Sequence, residues 1–176
     1  MKSSLILVMV LTLSACSSHR IPDSPPLAAS AVWVIMPLEN NSSTPLAAEK
    51  AERILSSQLY RKGIKAVVYP KAPLNSLTDI LDQTVKSKHA EAWLITSPAD
   101  YIISGSVEEW RYKNGLDAEP AVGVTLEIKD AKTHKVIWRA SASRVGWGRE
   151  SVSGAGIEVI DTLLEGIKIT PSGAVK

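Results

Sequence analysis

The side chains that usually carry out catalysis or bind metals are few in this 176-residue sequence, and they are far apart. No two of the three histidines, His19, His89 and His134, have the spacing of metal ligands or of an acid–base pair. The sequence holds one cysteine, Cys16, and contains neither a G-x-S-x-G elbow nor a phosphate-binding glycine loop. It therefore favours a protein that is not an enzyme and that uses no cofactor or metal.

Cys16 lies at the end of a secretory signal instead. A lysine at position 2 precedes a mostly apolar stretch at 5–13, and Leu13-Ser14-Ala15-Cys16 resembles the bacterial lipobox. The resemblance implies that residues 1–15 are removed and that Cys16 is acylated. Several acyl chains anchor a protein durably, since each buried methylene contributes about 0.8 kcal/mol. Ser17 follows the cysteine, as in lipoproteins sorted to the outer membrane, so we expect a lipid-anchored protein on the periplasmic face of that membrane.

An acidic loop provides the second group of candidate residues. Asp117 and Glu119 lie in segment 100–120, which has five acidic and two basic residues, whereas segment 121–150 has three acidic and six basic ones. Two solvated faces of a sheet explain this reversal if the chain is a monomer. The net charge of +2 is too small to attract phosphates strongly, so nucleic acid is not an expected partner.

One tryptophan has a different setting from the other four. Trp147 lies between Gly146 and Gly148 in a predicted loop, whereas the other tryptophans fall in predicted strands or a helix, where core packing is usual. Trp147 either folds back on the domain or faces a membrane interface or a partner.

The patterns around these residues predict one α/β domain over 31–170, with a tether at 16–30 and a tail at 171–176. Its order is β-α-β-α-β-β-β-α, which gives an α+β sandwich with a single mixed sheet of about five strands packed by helices. Strands are predicted for 31–36, 64–69, 101–112, 121–130 and 135–145. Helices are predicted from the Thr44-Pro45 cap to Gly63, over 74–97, and along an apolar stripe of Ile157, Ile160, Leu163, Leu164 and Ile167.

Three stretches of the sequence resemble the PelC lipoproteins of Pel exopolysaccharide export. They are GSVEEWRYKNGLDAEPAVGVTL at 105–126, VIW at 136–138 and GWGR at 146–149. The order of predicted strands and helices resembles that of the family over most of 31–167, and the resemblance in sequence is most specific over 101–150. It implies a homo-oligomeric ring of twelve subunits on the outer membrane, beneath the export β-barrel PelB. An acidic funnel toward the periplasm would guide a cationic polysaccharide.

The family's functional Asp, Trp and Arg residues match Asp117, Trp147 and Arg149 of this sequence, and Glu119 matches an acidic loop position. The resemblance implies that Asp117 and Glu119 guide the polysaccharide and that Trp147 meets the membrane interface. It also implies that Arg149 contacts a neighbouring subunit or a lipid headgroup.

Two other classes of function stay open from the sequence. A lipoprotein that activates a peptidoglycan synthase would need a tether longer than the roughly 14 residues at 17–30. A periplasmic glycan hydrolase would need two carboxylates held about 5 to 9.5 Å apart in a cleft.

Overall fold

The computed structural model describes residues 17–71, 82–114 and 118–171. Nine strands and three helices lie within them. The strands are β1 (Ser17–Arg20), β2 (Leu27–Ala28), β3 (Trp33–Ile35), β4 (Glu39–Asn40), β5 (Val67–Val68), β6 (Tyr101–Tyr112), β7 (Pro120–Asp130), β8 (Val136–Val145) and β9 (Ile169–Thr170). The helices are α1 (Ala47–Arg61), α2 (Gln83–Thr96) and α3 (Val152–Glu165).

Seven of these strands form one mixed sheet in the order β1-β8-β7-β6-β3-β5, with β4 also pairing with β6. Each strand in the run β1-β8-β7-β6 is antiparallel to its neighbour. Strand β3 is parallel to both β5 and β6, and β4 is parallel to β6. Strands β2 and β9 form a separate parallel pair. All five strands expected from the sequence are present in a mixed sheet packed by helices, so the predicted fold class is confirmed. Strands β1, β2, β4 and β9 were not predicted.

Helices α1 and α3 cover one face of the sheet and form the main core with it. The alternation along β7 predicts which side chains face this core: Val122, Val124, Leu126 and Ile128 are buried. Helix α1 contributes Ala51, Leu55 and Leu59, and α3 contributes Val159, Ile160, Leu163 and Leu164. Ile157, which was predicted to belong to the α3 stripe, is exposed instead.

Helix α2 covers the opposite face, but only on the β3 side. A second cluster there contains Val34, Met36, Tyr69, Ala90 and Ile102. Strand β3 is thus covered on both faces, as its continuous apolar run predicts. Beside α2, this second face opens into a groove of about 1000 Å³ with both apolar and polar walls, and its polar residues include Ser104, Thr125, Glu127 and Arg139.

Both ends of α1 can be compared with their predicted caps. Gly63 follows the helix with a φ of 84°, as predicted for a residue in the left-handed region. The predicted Thr44 cap is wrong, because the N-cap is Leu46, which caps no backbone amide with its side chain. The Thr44 hydroxyl donates to the Trp110 carbonyl oxygen and so ties this loop to β6.

Residues 17–30 were predicted to form a semi-extended tether, but the structure places them along the domain. Strand β1 pairs with β8. The indole nitrogen of Trp138 donates to the Pro22 carbonyl oxygen at 2.8 Å, and the Ser24 amide donates to the Gly166 carbonyl oxygen at 2.8 Å. Strand β2 then pairs with β9. The apolar patterns did not reveal these contacts because backbone hydrogen bonds make most of them.

A buried carboxylate fixes the loop between β3 and β4. Glu52 of α1 accepts hydrogen bonds from the Leu38 amide and the Tyr69 hydroxyl, both at 2.9 Å. Burial raises the pKa of Glu52, although both hydrogen bonds act in the opposite direction. The sequence carried a signal for this site, since Glu52 lies four residues after Ala48 and three before Leu55, on the buried stripe of α1.

A glycine of α3 gives a test of this packing. A Cβ added at Gly156 would lie 2.3 Å from the buried ring of Trp110. We expect Gly156→Ala to lower the free energy of unfolding by about 1–3 kcal/mol, the usual cost of overpacking a core. Urea denaturation of the domain measures this change.

Gly154→Ala is the matched control, because it makes the same change in the same helix. Its Cβ would meet only the Ser151 hydroxyl, at 3.2 Å, and the Glu150 side chain, at 3.7 Å. We expect an effect between zero and about 1 kcal/mol of stabilisation, from helix propensity. Equal losses from both substitutions would contradict a steric role for Gly156.

Candidate functional site

The acidic loop is the hairpin connection between β6 and β7. These strands pair in antiparallel register up to Tyr112 and Pro120, and the Lys113 amide donates to the Glu119 carbonyl oxygen at 2.8 Å. This short ladder places Glu119, which is half-buried, at the end of the sheet. Asp117 lies outside the described residues.

The loop that carries Trp147 adjoins this hairpin. The Gly146 amide donates to the Pro120 carbonyl oxygen at 2.7 Å. A Cβ at Gly146 would lie 2.2 Å from a Glu150 carboxylate oxygen and 2.8 Å from Pro120, so the backbone passes where only glycine fits. The Trp147 side chain is 55% exposed, which supports the outward-facing alternative for this residue.

Arg144 braces the Trp147 loop against α3. Its guanidinium contacts the Glu150 carboxylate at 2.5 Å and the Glu158 carboxylate at 3.0 Å. Glu150 also accepts from the Trp147 amide at 3.3 Å. Sequence reasoning missed this brace, because Arg144 is on β8, Glu150 is in the loop after it and Glu158 is on α3, and no periodic pattern links a strand to a loop and a helix. The brace fixes the backbone that presents Trp147.

The start of β1 lies at the same end of the sheet. Ser17 pairs with Arg144, near the end of β8. Cys16 lies outside the described residues, but it is joined covalently to Ser17. The candidate acylation site, the Trp147 loop and the β6–β7 hairpin are therefore all attached to one end of the sheet. The resemblance separates a membrane-facing tryptophan from acids that face the periplasm, whereas this sheet brings Glu119 and Trp147 to the same end.

Arg149 occupies the same loop as Trp147. Its amide donates to the Trp147 carbonyl oxygen at 2.8 Å, and the residue is exposed. Within 17–71, 82–114 and 118–171, neither Glu119 nor Arg149 forms an ion pair with another side chain. Both charges are open to groups outside the subunit.

Charges on the body of the sheet are instead paired locally. The Glu127 carboxylate contacts Lys129 at 2.7 Å and also pairs with Arg139, and the Ser104 hydroxyl donates to it at 3.0 Å. Burial raises the pKa of Glu127, but these three partners outweigh burial and lower the pKa to about 2. A carboxyl held ionised in this way is a poor general acid, so Glu127 does not favour the hydrolase alternative.

Two structural features are absent from the part of the chain that the structure describes. Within it, no group of three or more histidine, cysteine, aspartate or glutamate side chains is placed to hold a metal ion. Within the same residues, no helix has both the length and the apolar character needed to span a bilayer.

Comparisons with known proteins identify the family. No protein-family model and no curated protein matches the sequence. Among solved structures, the chain is similar to the PelC dodecamer from Paraburkholderia phytofirmans, with 31% identity and a TM-score of 0.73. The match covers 88% of this chain and 100% of that one. A leucine-to-methionine variant of that dodecamer, in another crystal form, has the same identity and coverage, with a TM-score of 0.75.

The chain therefore belongs to the PelC family, as the motifs over 101–150 predict. Lipoprotein GNA1162 from Neisseria meningitidis has a TM-score of 0.54 at 14% identity, covering 77% of this chain and 96% of that one. That likeness shows a shared fold alone.

The pairing of Glu127 leads to a prediction about acid stability. Its pKa rises from about 2 in the folded state toward the ordinary 4.5 on unfolding, so its contribution is present above pH 4.5 and is lost as the pH falls toward 2. We expect Glu127→Gln to cost about 1–2 kcal/mol at pH 7, allowing for solvent screening. Urea denaturation should show that the difference in free energy of unfolding between the variant and the wild type narrows between pH 5 and pH 2.

Asp161→Asn serves as a control at neutral pH, because Asp161 pairs with Arg61 on the surface. That substitution should change the stability by less than about 0.5 kcal/mol. If the loss of unfolding free energy caused by Glu127→Gln stays constant from pH 7 to pH 2, the assigned ion pairs would be contradicted.

Proposed function

We propose that this protein is an outer-membrane lipoprotein, acylated at Cys16, whose subunits form a ring that guides a cationic exopolysaccharide to its export β-barrel. The proposal rests on one observation: this sequence is 31% identical to a PelC that forms a dodecamer, and the match covers the whole of that PelC chain. The ring would hold twelve copies, as that dodecamer does. In this proposal residues 1–15 are the signal peptide, and the protein acts by binding and guiding rather than by catalysis. The folded domain begins before the predicted 31–170, because β1 (Ser17–Arg20) is a strand of the main sheet.

The acidic hairpin supplies the guiding interaction. A carboxylate 4 Å from an ammonium group gains only about 1 kcal/mol in water, and salt screens charges beyond about 8 Å. One Asp117–Glu119 pair would therefore hold a cationic sugar weakly. Repetition around a ring attracts the polymer at many points, yet each contact releases it quickly. A conduit needs both properties, because the polymer must be attracted and must still be able to move.

The shared end of the sheet restricts how the ring can be oriented. If Trp147 faces the membrane, Glu119 lies at the membrane side of the subunit as well, because Gly146 and Pro120 are hydrogen-bonded. We therefore propose that both Trp147 and the β6–β7 hairpin lie on the membrane side of the ring. The acids then line the opening next to the export barrel.

The structure also bears on the peptidoglycan-synthase alternative. An activator anchored in the outer membrane must cross the periplasm on a free tether. Here the backbone of residues 17–29 is hydrogen-bonded to the domain at β1, at Pro22 and Ser24, and at β2. The reach of the domain from its anchor is thus shorter than a free tether of this length allows.

The first functional prediction concerns the two acids. Asp117→Asn combined with Glu119→Gln should leave folding and ring formation intact and lower polysaccharide export severalfold, because the charges that attract the polymer are lost. Secreted polymer is measured in a strain that carries the variant at the native expression level. Native mass of the detergent-solubilised protein checks the ring.

The matched control is Asp161→Asn with Glu165→Gln, which removes the same charge from α3. These residues lie toward the far end of that helix, where Gly166 approaches Trp138 near the start of β8. Export should stay at the wild-type level. Unchanged secretion with the hairpin variant would mean that its acids are merely solvated.

The second functional prediction concerns Trp147. Transfer of about 100 Å² of its surface into the lipid interface contributes about 2.5 kcal/mol per subunit. That is small beside the acyl anchor, so Trp147→Ala should remain membrane-bound and folded while export falls. Membrane fractionation and secreted polymer are the two measurements. Tyr60→Ala removes another exposed aromatic side chain, on α1, and should change neither.

A further inference from the structure

The acyl anchor joins the domain through a paired strand. All four residues of β1 lie opposite β8, with Ser17 beside Arg144 and Arg20 beside Ser141. Beyond β1, Ile21 packs against the main core, and the Pro22 carbonyl oxygen accepts from Trp138. The chain is therefore held to the domain from the first residue after the candidate acylation site.

This pairing limits the distance between the anchor and Trp147. Cys16 is one peptide unit, about 3.8 Å, from Ser17. Ser17 lies about 5 Å across the ladder from Arg144, and three residues of chain span at most about 10 Å. The Cα atom of Ser17, the residue that follows the candidate acylation site, thus lies within about 15 Å of the Cα atom of Trp147.

A second aromatic side chain lies at the same end. Tyr112 is the last residue of β6 and is 49% exposed. It pairs with Pro120, whose carbonyl oxygen accepts from the amide of Gly146, next to Trp147. Exposed cationic residues are close to both aromatics in the sequence: Lys113 follows Tyr112, and Arg149 is two residues after Trp147. Tryptophan and tyrosine favour the headgroup region of a bilayer, and lysine and arginine favour anionic headgroups.

We propose that β1 acts as a strap that holds the acylated residue at this end of the sheet, so that Trp147 and Tyr112 enter the membrane interface together. The occupant of this surface is the phospholipid of the periplasmic leaflet. The inference rests on the proposed membrane anchoring and adds to it a fixed orientation and a second interfacial residue. A free tether would keep the domain near the membrane but would leave its orientation open.

Two insertions distinguish a strap from a tether. One places a twelve-residue Ser-Gly repeat between Cys16 and Ser17, with serine still following the cysteine. The other places the same repeat between Pro25 and Pro26, which are exposed and lie between β1 and β2. Either insertion adds up to about 40 Å of reach to a simple tether. If β1 stays paired with β8, only the insertion between Cys16 and Ser17 lengthens the chain between the anchor and the sheet.

The readout is quenching of Trp147 fluorescence by brominated lipid. Acylated full-length protein is reconstituted in vesicles of phosphatidylethanolamine and phosphatidylglycerol, with and without brominated chains, and the signal of the Trp147→Phe variant is subtracted. We expect strong quenching of the wild type, unchanged quenching with the Pro25/Pro26 insertion, and loss of most of it with the Cys16/Ser17 insertion. Native mass checks that both variants still assemble.

Equal loss from both insertions would show that residues 17–30 act as a simple tether and would overturn the strap. Unchanged quenching with both would show that Trp147 docks without help from the anchor, and this would overturn it too. Absence of quenching in the wild type would reject membrane docking itself, and the strap with it. The export effect of Asp117→Asn with Glu119→Gln tests the guiding role separately.

Tyr112 is tested in the Trp147→Phe background. Tyr112→Trp should introduce fluorescence that brominated lipid quenches. Tyr60→Trp is the control, because Tyr60 is also exposed, at 69%. It lies near the end of α1, from which the chain enters β5 beside β3, at the opposite end of the sheet. Its fluorescence should not be quenched. Equal quenching at the two positions, or none at Tyr112→Trp, would overturn the assignment of Tyr112.

Discussion

The antiparallel backbone pairing of β6, β7, β8 and β1 is the constraint on which the rest of this structure depends. A strand in such a ladder ends where its neighbour begins, so segments far apart in sequence are brought to one end of the sheet. The residue after Cys16, the β6–β7 hairpin and the Trp147 loop meet there for this reason. Helices α1 and α3 stabilise the ladder by burying one face of it, and they do not change which segments share an end.

Charge is distributed according to the same geometry. On the body of the sheet, carboxylates and cations lie on adjacent strands and pair across them, as Glu127 does with Arg139. Within the described residues, no ion pair joins segment 100–120 to segment 121–150, and Glu127 and Arg139 both lie in the second, so such pairs do not account for the reversal of charge between the two segments. At the end of the sheet the strands stop, and Glu119 forms no ion pair within the described residues, although Lys113 lies across the hairpin from it. Its charge is therefore open to a partner.

The proposed conduit combines one strong attachment with many weak contacts. In this proposal, acyl chains would hold each subunit in the membrane, Trp147 would add an orienting contribution, and the carboxylates would attract a polymer without retaining it. A small electrostatic gain per subunit is an advantage in this design, because a tightly bound chain would not move. The buried Glu52 contributes only indirectly, by fixing the loop that leads to β4 beside β6.

The sequence by itself determined the elements whose signal is local. Alternation along β7 and the α1 stripe of Ala51, Leu55 and Leu59 are each read from neighbouring residues, and the family motifs pointed to Trp147. The lipobox is read in the same way, and acylation of Cys16 stays a prediction. Only the tertiary structure decided what depends on distant pairing. The Ser-Ser-His-Arg segment of β1 has no strand pattern, since it forms by adding to the exposed edge of β8. The joint position of Glu119, Trp147 and Ser17 likewise follows from strand register, which periodicity within one segment does not specify.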